Sequence, residues 1–111
     1  MHNALVYGIK WDRHLYFNNN SVELSDSEYR VMRYLMEHPN HAVKHKDISD
    51  QAVGDSNREE DVCKHYSVIV IKRLRTKISK IGINPNYIKS VRGIGYMLDE
   101  RRFHYMRTSL D

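Results

Sequence analysis

The side chains best able to bind a charged ligand are concentrated in the second half of the chain. Residues 62–98 contain no Asp or Glu but eight basic residues: Lys64, Lys72, Arg73, Arg75, Lys77, Lys80, Lys89 and Arg92. Since the whole chain carries a formal charge of +4, removing these eight charges leaves about four net negative charges elsewhere. Protein surfaces normally mix both signs of charge for solubility and local pairing. The segregation therefore indicates an anionic partner.

Other reactive side chains form no pattern that is typical of catalysis. The sequence has no nucleophile beside a base, no glycine-rich phosphate loop and no acid pair, which favours a protein that is not an enzyme and has no cofactor. The single Cys63 predicts a buried thiol and no internal disulfide. His38, His41 and His45 are separated by Pro39 and a predicted helix end, so we expect no metal site.

The first half of the chain predicts a small antiparallel sheet followed by two helices. Large apolar residues alternate at Leu5, Tyr7, Ile9 and Trp11, and again at Leu15 and Phe17, before a polar turn and a short strand over residues 22–24. Ser25 and Glu28 have the spacing of a capping box, which predicts a helix over about residues 26–38 that ends before Pro39. A shorter helix is expected over residues 46–53, with a poor N-cap and with Gly54 as its stop.

The longest helical pattern follows the acidic cluster at residues 59–61 and runs to about Lys80. One predicted face is small or apolar: Cys63, Ser67, Val70, Ile71, Leu74, Ile78 and Ile81. The opposite face carries His65, Ile69, Lys72, Arg73, Thr76 and Lys80. After a turn at residues 84–86, residues 87–91 and 96–98 predict two strands, and residues 92–95 predict a basic, glycine-containing tip.

A cationic helix followed by a basic hairpin matches the shape and charge of a DNA duplex. The major groove accepts one helix, and its base edges identify each base pair. We expect Arg73 and Lys72 to reach bases or phosphates, Ile69 to contact a thymine methyl and Arg92 to enter the minor groove. Three alternatives stay open: a merely solvated helix face, a protein-interaction module, and a single-strand or RNA binder. The last is disfavoured because Tyr66 is the lone aromatic residue on this helix.

Three motifs in order resemble the OmpR/PhoB-type winged-helix domain. They are LSDSEYRVMRYL at residues 24–35, IKRLRTKI at residues 71–78 and YIKSVRGIGY at residues 87–96. The resemblance covers about residues 5–98. It implies an α+β winged helix-turn-helix fold with an N-terminal antiparallel sheet, three helices and a C-terminal β-hairpin wing. It further implies that the third helix reads the major groove of promoter DNA.

The resemblance also implies roles for individual residues. It assigns base contacts to Tyr66, Ile69 and Arg73, and phosphate contacts to His65, Lys72, Arg75, Lys77, Lys80 and Tyr96. Ser90 and Arg92 fall on the wing. Val53, Val68 and Val70 stand where the family often has a Trp, an acid and a polar residue, which leaves the base preference open.

Domain limits and partners follow from the same resemblance. We expect the DNA-binding domain over residues 1–99 and a basic tail or linker over residues 100–111. Double-stranded DNA is the expected partner, bound as a homodimer or in tandem, with RNA polymerase as a further candidate and activation as the usual outcome. The start at Met1, with no receiver domain upstream, is similar to ToxR-like membrane-anchored regulators, and a free-standing regulator is the alternative. The absence of a signal peptide or a long apolar run predicts a cytoplasmic domain.

Overall fold

The computed structural model describes residues 6–107, which form two small sheets and three helices. The N-terminal strands are β1 (Val6–Ile9), β2 (His14–Phe17) and β3 (Asn20–Glu23). The helices are α1 (Asp26–Glu37), α2 (His45–Val53) and α3 (Glu60–Lys80). Strand β4 (Val43–Lys44) lies between α1 and α2, and the C-terminal strands are β5 (Ile88–Val91), β6 (Gly95–Leu98) and β7 (Met106–Arg107).

The N-terminal sheet has the strand order β3-β2-β1-β7. Strands β1, β2 and β3 are antiparallel, and β7 pairs with β1 in parallel. Tyr7, Ile9, Leu15 and Phe17 are buried, as their alternation predicts. The continuation of that alternation to Trp11 is wrong, because the strand ends at Ile9 and Trp11 lies in the following turn with 78% of its surface exposed. Leu5 lies outside the described residues.

Helix α1 begins with the capping box that the sequence predicts. The Ser25 hydroxyl accepts from the Glu28 backbone N–H at 3.2 Å, and the Glu28 carboxylate accepts from the Ser25 backbone N–H at 2.8 Å. The helix ends at Glu37, one residue earlier than predicted. Its apolar stripe is fully buried in the core at Val31, Met32, Leu35 and Met36.

Helix α2 lacks a side-chain N-cap, as predicted, and its C-terminal end is held by other elements. Arg30 and Ser27 of α1 both donate to the Ala52 carbonyl, at 3.1 and 2.6 Å. Arg58 donates to the Gly54 carbonyl at 2.7 Å. Hydroxyl and guanidinium donors thus satisfy carbonyls at the negative end of the helix. Gly54 adopts a positive φ of 91°, which suits the glycine predicted to stop the helix.

Helix α3 buries the face that its periodicity predicts. Every residue predicted for that face is buried: Cys63, Ser67, Val70, Ile71, Leu74, Ile78 and Ile81. A short 3-10 helix over Pro85–Tyr87 replaces the expected turn and strand start, and Tyr87 is fully buried. No helix within residues 6–107 combines the length and the apolar character needed to cross a bilayer.

Residues 100–107, which the sequence assigned to a tail or linker, pack on the fold. Phe103 and Tyr105 lie against the core, and the Tyr105 ring meets the Tyr87 ring edge-on with centroids 5.0 Å apart. Beneath them the Tyr7 and Tyr87 hydroxyls are hydrogen bonded at 2.7 Å. Burial raises the pKa of both tyrosines, so both stay neutral. The domain boundary at residue 99 stays a prediction, but the packed chain continues past it.

Candidate nucleic-acid interface

The solvent face of α3 forms a convex surface, which we call the α3 ridge and define as His65, Ile69, Lys72, Arg73, Thr76 and Lys80. Helix α2 packs across the inner face of α3, so the ridge points away from the core. Ile69 is half-buried and the other five residues are exposed. The side chains of Lys72, Arg73 and Lys80 make no hydrogen bond or ion pair to any residue in the range 6–107. Their charges are therefore available to a partner.

Two hollows flank the ridge. One, of about 630 Å³, lies between α3 and the wing and is lined by Val68, Arg75 and Tyr96 together with Lys72, Thr76 and Lys80. The other, also about 630 Å³, lies on the opposite side of α3 and shares Lys72, Thr76 and Lys80 with the first. The three shared residues thus form the crest of a ridge with a depression on each side. A helix that projects in this way can enter a groove.

The wing is the hairpin of β5 and β6, and β4 pairs with β6 as a third strand. Its tip exposes Arg92, and Gly93 takes a φ of +78°, so this glycine permits the turn. Gly95 has a different role, because a Cβ atom there would lie 2.0 Å from the Val43 carbonyl oxygen. Only a glycine lets β4 approach β6 this closely.

Arg75 of α3 and Tyr96 of β6 are both predicted to contact phosphates. In the structure Arg75 contacts the Tyr96 ring and the neighbouring strand β5. The Arg75 guanidinium donates to the Ile88 carbonyl from Nε at 3.0 Å and from Nη2 at 2.6 Å, and Nη2 also donates to Ser90 Oγ at 3.0 Å. Its central carbon lies 5.2 Å from the centroid of the Tyr96 ring, and Tyr96 is 7% exposed. These contacts direct Arg75 toward the protein rather than outward.

Lys77, also predicted to contact a phosphate, is directed into the scaffold. Its Nζ donates to Glu28 Oε1 at 2.5 Å and to the Glu23 carbonyl at 2.9 Å. Burial of Glu28 opposes ionisation, but the hydrogen bonds from Lys77 and from the Ser25 backbone outweigh burial and hold the pKa of Glu28 below its usual value. The ion pair joins α3 to the start of α1.

His45 is a site residue that sequence reasoning missed. Its backbone N–H donates to the Ile94 carbonyl at the wing tip at 3.1 Å, and its Nδ1 lies 2.9 Å from Ser67 Oγ on α3. Its ring meets Tyr96 edge-on with centroids 5.5 Å apart. Burial, and then the nearby Lys64, lower the pKa of His45. The sequence showed only a poor cap at this position, because all of these partners are distant in the chain.

Tyr66, predicted to contact bases, stands near the N-terminal end of α3 and is 38% exposed. The Arg58 guanidinium lies 5.7 Å from the centroid of its ring. Because Arg58 also donates to the Val53 and Gly54 carbonyls, it ties Tyr66 to the end of α2. The loop that joins α2 and α3 thus supports this end of the ridge.

The sequence family described as "Transcriptional regulatory protein, C terminal" matches residues 19–98. The chain belongs to this family. Its members are OmpR/PhoB-type DNA-binding domains of transcription regulators, as the three motifs predict, and they are not enzymes. The match includes all three helices and the wing described above.

Curated relatives of this OmpR/PhoB-type domain are longer regulators. It is 27% identical over 100 residues to the regulatory protein VanR of Enterococcus faecium, a match that covers 90% of this chain and 42% of VanR. It is 30% identical over 89 residues to the alkaline phosphatase synthesis transcriptional regulatory protein PhoP of Bacillus subtilis, covering 80% of this chain and 36% of PhoP. The chain thus spans about two fifths of the length of these relatives.

Solved structures confirm the predicted α+β winged-helix fold. The C-terminal domain of the nisin resistance regulator NsrR superposes with a TM-score of 0.64 at 28% identity, covering 83% of this chain and 89% of that one. The DNA-binding domain of the response regulator AdeR, solved in complex with an intercistronic region, gives 0.66 at 21% identity, covering 89% and 96%. At the latter identity the likeness establishes the fold alone.

Proposed function

We propose that this OmpR/PhoB-type domain binds double-stranded promoter DNA in a sequence-specific manner and so regulates transcription. The α3 ridge occupies the major groove, and the wing tip reaches the adjacent minor groove. One observation carries the proposal. Six cationic side chains on α3 and the wing make no hydrogen bond or ion pair within residues 6–107: Lys64, Lys72, Arg73, Lys80, Lys89 and Arg92. Six unpaired charges on adjoining elements fit a polyanion better than a solvated face of mixed charge.

The geometry supports a division of roles along the ridge. Arg73 and Ile69 contact base edges, since a guanidinium can pair with guanine and an aliphatic side chain can meet a thymine methyl. Tyr66, which lies near the N-terminal end of α3, also contacts bases. Lys72, Lys80 and His65 contact phosphates, and Arg92 enters the minor groove. We assign Lys77 to the scaffold instead, because its ammonium group already faces Glu28.

Further partners belong to the same proposal and follow from the resemblance that the three sequence motifs carry. A homodimer or tandem arrangement on DNA, a contact with RNA polymerase, activation as the outcome and a cytoplasmic location are all consistent with the regulators it resembles. The DNA complex of the AdeR domain supports duplex DNA as the ligand of the shared fold. A ToxR-like membrane anchor stays a prediction.

Selection from a randomised duplex pool, followed by fluorescence anisotropy on the enriched duplex, tests the proposal. Each cation that displaces a counterion from the duplex, whether it faces a phosphate or lies in a groove, adds about −0.9 to the slope of log affinity against log salt, so six cations predict a slope of about −5. A shuffled duplex of the same composition should bind more weakly. If no sequence is enriched and the slope is shallow, the protein-interaction module that the sequence left open is favoured instead.

Matched variants locate the binding surface. Replacing both Lys72 and Lys80 by Gln should reduce the magnitude of the slope by about 2, because two phosphate contacts are lost. Lys10→Gln removes an exposed cation that lies beside Tyr16 on the N-terminal sheet, and it should leave the slope unchanged. Because Lys10→Gln removes one charge and the double variant removes two, a change in slope half as large in Lys10→Gln would show nonspecific attraction to net charge rather than a defined interface.

A further inference from the structure

The base of the wing packs in the core through Ile88, Tyr96 and Leu98, and Arg75 supplies polar side-chain contacts to its first strand. Three of the five N–H groups of a guanidinium are used here, two on the Ile88 carbonyl and one on Ser90 Oγ. Ile88 is fully buried, so this carbonyl has no access to water in place of Arg75. These three hydrogen bonds, which we call the clamp, therefore join α3 to the base of the hairpin.

The second strand of the wing is held through Tyr96, which contacts both Arg75 and His45. The Arg75 guanidinium carbon lies 5.2 Å from the centroid of the Tyr96 ring, and the His45 ring meets it edge-on with centroids 5.5 Å apart. Backbone contacts also fasten β6: β4 pairs Val43 with Tyr96 and Lys44 with Gly95, and the Asn40 and His45 N–H groups donate to the Leu98 and Ile94 carbonyls. Strand β5 is the edge of this sheet and pairs with β6 alone within residues 6–107, so its orientation depends on side chains outside the hairpin.

We propose that Arg75 is a positioning residue: it fixes the angle between the wing and α3, and it acts on DNA through the wing rather than through a phosphate contact of its own. The inference rests on the proposed function. The wing tip carries Arg92, whose reach into the minor groove depends on the direction of the hairpin. Loss of the clamp moves Arg92 away from the groove while leaving the α3 ridge intact.

Charge-conserving substitution separates this role from a phosphate contact. A lysine keeps the positive charge, but it has no planar guanidinium that can donate to the Ile88 carbonyl and the Ser90 hydroxyl at the same time. If Arg75 contacts a phosphate, Arg75→Lys should bind DNA within about twofold of the wild type. If Arg75 positions the wing, Arg75→Lys should bind about tenfold more weakly, which is the loss expected from one base or groove contact.

A double-mutant cycle with Arg92→Ala tests whether Arg75 acts through the wing. On the duplex selected above, at constant salt, we expect Arg75→Lys to weaken the wild type but to have little further effect in the Arg92→Ala background. Lys72→Gln is the control, and its effect should multiply with that of Arg92→Ala. Multiplicative effects of Arg75→Lys and Arg92→Ala would overturn the proposal.

Amide hydrogen exchange of the free protein gives a readout that needs no DNA. Arg75→Lys should speed exchange in residues 91–95 by about tenfold or more while leaving α1 unchanged, and Lys72→Gln should leave both unchanged. Ser90→Ala removes one acceptor without altering Arg75, so it should speed exchange in the wing by less than Arg75→Lys does. Combined with Arg75→Lys, it should cause no further increase. If Arg75→Lys does not fold, exchange in Ser90→Ala alone tests the positioning role of Arg75. Unchanged wing exchange overturns the proposal. If the wild type binds no duplex, the proposed function fails, while the exchange result still decides the role of Arg75.

Discussion

Replacing Lys77 by Met removes the ammonium group that faces the buried Glu28 carboxylate and keeps most of the aliphatic chain. Removing one partner of a buried ion pair costs about 3–5 kcal/mol. The Lys77 side chain is 27% exposed and Glu28 keeps its hydrogen bond from the Ser25 N–H, so we expect a loss of about 2–3 kcal/mol. At about 4 °C per kcal/mol for a domain of this size, Tm should fall by roughly 10 °C in calorimetry.

The cost of Lys77→Met should depend on pH in a defined direction. In the wild type the pKa of Glu28 is lowered, so its contribution to stability is complete above the ordinary Glu value of 4.5 and is lost as pH falls through the lowered pKa. Without Lys77, burial is opposed only by the hydrogen bonds from Ser25, so we expect the pKa of Glu28 to rise relative to the wild type. The difference in free energy of unfolding between the wild type and Lys77→Met should therefore be largest near neutral pH and should shrink as the pH falls toward about 4.

Two further measurements decide whether this reasoning holds. The double variant Glu28→Gln/Lys77→Met should be more stable than Lys77→Met at neutral pH, because it buries no unpaired charge. The slope of DNA affinity against salt should not change in Lys77→Met. A Tm equal to that of the wild type, a deficit that is constant with pH, or a slope smaller by about 0.9 would refute the account and return Lys77 to the phosphate contacts.

Further substitutions, in the protein and in the DNA, probe the interface and the wing. Arg73→Ala should cost roughly 1–3 kcal/mol of DNA binding and relax the preference at one base position, whereas an equal loss on all sequences would make Arg73 a phosphate contact. Deoxyuridine in place of the thymine that Ile69 contacts should weaken wild-type binding about fourfold, the value of one methyl group, and should not affect Ile69→Ala. Gly95→Ala should lower the free energy of unfolding in urea by about 3 kcal/mol, since its Cβ would collide with the Val43 carbonyl. Gly93→Ala has space for its Cβ, so it should cost only the strain of its positive φ, about 1–2 kcal/mol.

Features that depend on neighbouring residues in the chain could be read directly from the sequence. The capping box at Ser25 and Glu28 satisfies its donors within one turn, and the buried face of α3 follows from helical periodicity alone. The motif YIKSVRGIGY predicts a hairpin because the glycine at its tip can turn the chain. These local rules, with the family resemblance, were sufficient for the fold and for the location of the ridge.

The direction of each cationic side chain was decided only by the tertiary structure. Arg75 and Lys77 lie in the same basic run as Lys72 and Arg73, and nothing in that run distinguishes them. Their partners are 13 residues away at Ile88 and 49 residues away at Glu28, where only folding brings them together. The same holds for β7, which completes the sheet beside β1, and for His45 beneath the wing. Sequence patterns fix which face of a helix is polar, but the use of each polar group depends on which distant carbonyl or carboxylate lies within hydrogen-bond distance.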